Sequence, residues 1–172
     1  MSIEEHFLNS AIKRLEDYKT LGEKAIDRLS TEQLNWQANE TSNSIAIIIK
    51  HIHGNMISRW TNFLTEDGEK EWRKRDEEFE GDNISKEQIL KWWNEGWVVC
   101  LTSLKSLLKE DVTKTITIRN QPLIVVDAIN RQIAHYSYHI GQVIYVSKLL
   151  MDTAWTSLSI PKGSSQQYNK QL

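Results

Sequence analysis

Four stretches of this chain repeat apolar residues at three- and four-residue steps, a periodicity that commits most of it to helices packed on helices. The first predicted helix runs from about Ile3 to Leu29, with Leu8, Ile12, Leu15, Tyr18, Gly22, Ala25 and Leu29 on one face. Ser30 followed by Gln33 is a capping-box pattern that opens a short helical turn before Trp36. The second helix spans about Ser44 to Leu64 on a seam of Ile45, Ile49, Ile52, Met56 and Phe63. The third opens at Ser85, with Gln88 as the second half of another capping box, and continues to about Lys109 on Leu90, Trp93, Trp97, Cys100, Leu104 and Leu108. The last carries Ile129, Ile133, Tyr136, Ile140, Val143 and Leu150. One β pattern interrupts the series. Thr115-Ile116-Thr117-Ile118 and Leu123-Ile124-Val125-Val126, on either side of Arg119-Asn120-Gln121-Pro122, predict a small hairpin between helices three and four.

The expected fold is therefore all-α: a four-helix bundle in a single domain, residues 1–172, with a long crossover between helices two and three. The crossover, Thr65 to Asn83, is dense in charges of both signs and reads as a solvated connection with Trp72 and Phe79 as its anchors. At ~3.3–3.6 Å per extended residue it is long enough to travel the length of a bundle, which lets helices two and three run parallel.

Composition excludes several functions. A formal charge of −2 gives no concentrated basic surface for nucleic acid or an anionic membrane. No apolar run approaches the ~20 residues that span a bilayer, and the acidic start, Met1-Ser2-Ile3-Glu4-Glu5, lacks the features of a signal peptide. The single cysteine, Cys100, forms no internal disulfide and falls on the helix-three seam, which makes it a core thiol. A cytoplasmic protein is expected. The seven tryptophans point to aromatic packing without naming a ligand.

The chemistry sits beside the seams. His135 and His139 are one helical turn apart, so both imidazoles leave the same face, a spacing that suits a chelated metal ion. Two imidazoles leave a tetrahedral cation half coordinated, and the best third donor is His51. In helix two, Ser44, His51, Asn55, Ser58 and Asn62 form a polar row one position behind the seam; in helix four Gln132, His135, His139 and Gln142 do the same. Two such rows can meet inside a bundle. His53 points to nearly the opposite side of its helix and is read, with His6, as a surface or helix-end residue. Around the triad, Asn55 and Gln142 are candidates to orient an imidazole N–H or a bound water, and Arg59 and Arg131 to meet an anionic substrate or, preferably, carboxylates of the chain. Tyr138, Trp93 and Trp97 are pocket candidates, with packing the simpler role. No catalytic residue is singled out. Lys162-Gly163-Ser164 lacks the glycine spacing and strand of a phosphate loop.

This layout resembles the DinB-like superfamily, which includes YfiT-type proteins. Lys50-His51-Ile52-x-Gly54-Asn55, Ser58-Arg59-Trp60-Thr61-x-Phe63-Leu64-Thr65, Asp67-Gly68-Glu69-Lys70 and Ser159-Ile160-Pro161-Lys162-Gly163 are similar to a bacillus-type subgroup of unassigned activity. The resemblance implies a divalent metal, zinc or nickel, on His51, His135 and His139, in a bundle that often forms a homodimer. It also implies a small-molecule substrate and a metal-dependent thiol S-transferase acting in detoxification, with bacillithiol or a similar low-molecular-weight thiol as co-substrate. A metal-dependent hydrolase, or a non-catalytic metal-binding or ligand-sensing protein, is the alternative.

Overall fold

A computed structural model of the chain describes residues 1–81 and 83–170; Asp82 of the crossover and the last two positions of the expected domain lie outside the described residues. The long helices are α1 (Ile3–Ile26), α3 (Ile45–Trp60), α4 (Lys86–Lys105) and α5 (Val125–Met151), with short helices α2 (Thr31–Asn35) and α6 (Ser165–Asn169). Strands β1 (Thr115–Ile118) and β2 (Gln121–Ile124) form an antiparallel pair between α4 and α5. The expected four-helix bundle, crossover and hairpin are all present.

The helices start where side chains can satisfy their free N–H groups. Ser2 accepts from the Glu5 amide while Glu5 accepts from the Ser2 amide, a reciprocal box repeated by Ser30 and Gln33. Ser85 makes only the serine half of its box, to the amide of Gln88. Ser44, placed in the polar row by its spacing, is instead the N-cap of α3 and accepts from the Ile47 amide.

Contacts along the bundle fix its directions. His53 meets Trp92 and Glu95, Met56 meets Gly96, and the Trp60 carbonyl accepts from Ser103, so α3 and α4 run parallel. Ile48 shares a wall with Gln142 and Val146 while Arg59 shares one with Arg131 and Gln132, so α5 descends beside α3. Helix α1 lies against α4 and α5 on the other side. The core between them holds Leu15, Ile49, Trp60, Trp93, Trp97, Cys100 and Tyr136, all nearly or fully buried. Gly22 is required here: a Cβ at this position would stand 2.3 Å from the Trp93 ring.

The crossover departs from its expected character. Trp72 is 58 % exposed and anchors nothing, whereas Lys70 and Glu78 are buried and the Arg73 side chain is 2 % exposed. Charges placed against a bundle stay charged only when paired, and these are paired. The Asp67 carboxylate accepts from the amides of Glu69, Arg119 and Asn120 at 2.7–2.8 Å, fastening the crossover to the hairpin. Burial opposes ionisation of Asp67, but the backbone donors outweigh it and bring its pKa down to about 2. The hairpin turn is tighter than the sequence suggests. Arg119 and Asn120 both take positive φ, 57° and 58°, which makes a two-residue turn. Gln121 and Pro122 consequently join the strand, and Val125 and Val126, expected in it, begin α5. At the end of α4, Leu108 lies beyond the helix and is 66 % exposed instead of on the seam, and Ile89 rather than Leu90 is the fully buried residue of the first turn.

Candidate metal centre

Helices α3 and α5 bring His51, His135 and His139 together across 84 residues of chain, and their candidate ligand nitrogens all lie within 4.8 Å of one another. His51 Nε2 and His135 Nε2 are 3.3 Å apart. Two nitrogens bound to one tetrahedral zinc at ~2.0–2.1 Å are separated by ~3.3 Å, so this edge already has the required length. His51 and His139 are buried and His135 is partly so.

Each imidazole is set by a neighbour. The His51 Nδ1 lies 2.9 Å from Glu78 Oε2, and since an ionised carboxylate only accepts, Nδ1–H donates and Nε2 keeps its lone pair toward the cluster. Arg73 grips the same carboxylate through two bonds of 2.7 and 2.9 Å. Burial raises the Glu78 pKa, but the His51 and Arg73 contacts outweigh it and leave the group below the ordinary carboxylate range. In the same way the His139 Nδ1, 2.8 Å from Gln142 Oε1, leaves Nε2 free. That Nε2 is buried without any hydrogen-bond partner, as is the His135 Nδ1. Burial, reinforced by the neighbouring imidazoles, lowers His135 to about 3; burial, only partly offset by Gln142, lowers His139 to about 4. Both are therefore neutral at pH 7, the state in which imidazole binds metal.

A buried imidazole lone pair with nothing to accept is costly unless something occupies its front. The donor set, three imidazole nitrogens converging from two helices with carboxylate and amide groups behind them, fits a divalent metal ion.

The other expected residues divide. Gln142 stands on His139, but the Asn55 side-chain carbonyl accepts from the Tyr136 hydroxyl at 3.1 Å, and that hydroxyl also accepts from Trp60; Asn55 therefore braces the two helices and makes no hydrogen bond to an imidazole among the described residues. Arg59 is buried, with its guanidinium on Glu69 at 2.8 Å and on the Gly68 carbonyl. Arg131 is exposed on α5. His53 is partnered by Glu95 at 3.5 Å, away from the cluster, and His6 is exposed. Trp93 and Trp97 belong to the core, and Tyr138 lies beside His135 at the surface.

Two functional residues escaped the sequence reading, Glu78 and Arg73. Neither has a periodic signature, because Arg73 lies outside any helix or strand and Glu78 in a single turn of 3-10 helix, Asp76–Phe79, too short to show one. An indirect signal was Gly54, a glycine inside an otherwise strong helix: a Cβ there would stand 2.2 Å from Glu78 Oε1, so the glycine makes room for the carboxylate. Phe79 is the expected anchor that holds, its ring 4.8 Å from that of His51.

Residues 2–164 match the profile of a family described as Protein of unknown function (DUF1572). The chain belongs to that family. The fold of this DUF1572 protein is DinB-like: it is similar to the crystal structure of a DinB-like protein from Bacillus cereus, with a TM-score of 0.61 and 19% identity, covering 90% of this chain and 95% of that one. No curated protein matches the sequence. Among the described residues, no helix is long and apolar enough to cross a membrane.

Proposed function

We propose that this DUF1572 protein is a metal-dependent thiol S-transferase, with one zinc or nickel ion held by His51, His135 and His139 and a low-molecular-weight thiol of the bacillithiol kind as co-substrate. The observation that carries the reading is the convergence of the three imidazoles, with Nε2 of His139 buried and unmatched. A bound divalent cation supplies Lewis acidity, which favours the thiolate form of a coordinated thiol at neutral pH. The chain's own residues do the rest. Glu78 and Gln142 hold two imidazoles in the tautomer that presents Nε2, and Arg73 holds Glu78. Burial of His51 and His139 keeps bulk water from competing for their nitrogens, while the partly exposed His135 borders an open cleft through which a small electrophile and thiol reach the site.

Elemental analysis of the purified protein and its His51→Ala variant tests the site: about one zinc or nickel per chain is expected in the first and a large loss in the second. For the reaction, the metal-loaded protein is incubated with bacillithiol and monochlorobimane. Conjugation that disappears in a folded His135→Ala variant supports a transferase. Stoichiometric metal without turnover on any thiol rejects the transferase, and without turnover on esters as well it leaves a metal-binding protein.

A further inference from the structure

The cleft beside the histidines has a volume of about 330 Å³, and its walls carry Arg59, Arg131, Gln132, His135 and Tyr138. No carboxylate lines it among the described residues, although the whole chain has 23 Asp and Glu against 21 Lys and Arg. Arg59, Arg73 and Arg119 each pair with a glutamate, whereas Arg131 has no ion-pair partner among the described residues. Burial above all, and to a lesser degree the Arg73 and Arg131 charges, weakens the hold of Arg59 on its proton against the opposing pull of Glu69.

Behind the same walls three polar atoms are buried without a hydrogen-bond partner: Arg59 Nε, Gln132 Oε1 and His135 Nδ1. Gln132 is 3 % exposed and Arg59 6 %. Of the other unmatched atoms, two are indole nitrogens of the core and one is the His139 Nε2. Three of the six unmatched atoms belong to residues that line this one opening, where a guest with complementary groups completes their bonding once the side chains turn toward it.

We propose that this cleft seats a small carboxylate bearing a hydrogen-bond donor beside it, a hydroxycarboxylate or amidocarboxylate. Its carboxylate oxygens accept from Arg131 and, with small turns of the buried Arg59 and Gln132 side chains toward the opening, from the Arg59 Nε–H, while its hydroxyl or amide N–H donates to Gln132 Oε1. A phosphate monoester dianion fits less well, because it has no donor for Gln132 Oε1. In the reading above this carboxylate is the body of the thiol co-substrate. That role rests on the metal assignment; the carboxylate site does not.

The probe is L-malate, which carries two carboxylates and one hydroxyl, titrated into EDTA-treated protein and followed by amide chemical shifts. Shifts are expected at residues 131–138. Malamide, without charge, is expected to bind about tenfold or more weakly, and succinate, without the hydroxyl, several-fold more weakly. Arg131→Gln lies on the surface, leaves the fold intact and weakens malate about tenfold, and Arg131→Lys recovers part of the loss. Equal affinity for malate and malamide, tighter binding of inorganic phosphate than of malate, an unchanged dissociation constant in Arg131→Gln, or no shift at all would overturn the proposal. A chain that binds malate but not zinc keeps the carboxylate site and loses the metal reading. Zinc binding at one per chain without malate binding does the reverse.

Discussion

Glu78 acts on the site through His51 alone, and its two oxygens are already shared with Arg73. Removing its charge lowers the basicity of the His51 Nε2 and leaves the buried Arg73 with only a longer contact, 3.5 Å, to Glu69. Groups that orient metal-binding imidazoles typically contribute a factor of about 10–100 in metal affinity. Glu78→Gln, which keeps the shape, is therefore expected to weaken zinc about tenfold in a competition titration against a chelating dye. Gly54→Ala reaches the same contact from the other side. Replacing a helical glycine by alanine normally stabilises by about 1 kcal/mol. At Gly54 the added methyl collides with Glu78, so zinc affinity is expected to fall even though helix propensity rises. Unchanged zinc affinity in both variants would mean that His51 does not need the carboxylate.

Two glycines in helices show how differently the elements use the same residue. Gly22 on α1 lies under the Trp93 ring, while Gly141 on α5 has nothing within 4 Å of where a Cβ would stand. Gly141→Ala is expected to stabilise by about 0.5–1 kcal/mol through propensity alone. Gly22→Ala is expected to destabilise by about 1–3 kcal/mol, since the core must move to admit it. Paired urea unfolding curves read both, and a stabilising Gly22→Ala would contradict the close packing of α1 on α4. At this scale most of the molecule was legible in the sequence. Seams at helical spacing located all four long helices, and Ser30 and Ser85, read as caps from their spacing, cap helices in the structure; Ser2 and Ser44, not read as caps, do so as well. The errors fell where local pattern competes with contacts distant in sequence. Val125 and Val126 favour a strand by type, but the turn at Arg119 and Asn120, held by Asp67 from the far side of the crossover, ends the strand before them. Glu78 was hidden for the same reason: in a run of charges nothing marks the one that turns inward, and only the glycine it faces records the contact.

The whole molecule is held around the histidines by two separate returns of the chain. The crossover carries Glu78 back along the bundle to α3, with Lys50 donating to the Glu77 and Glu80 carbonyls, and the hairpin delivers α5 antiparallel to α3. His51 and His135 are adjacent only when both returns are complete, so the three nitrogens exist as a set in the folded chain and not in the unfolded one. A ligand that binds only the folded state stabilises it by mass action, about 2.7 kcal/mol at a free concentration 100 times its dissociation constant. For a chain of this size each kcal/mol raises the melting temperature by about 2–4 °C. Zinc in such excess is therefore expected to raise it by about 5–10 °C over the EDTA-treated protein, as read by scanning calorimetry. In His51→Ala, where the α3 contribution is gone, the zinc-dependent rise should nearly vanish. The rise should also survive Arg131→Gln, because Arg131 lines the cleft without being a ligand. An equal rise in wild type and His51→Ala would place the cation elsewhere on the surface, and the meeting of α3 with α5 would then serve packing alone.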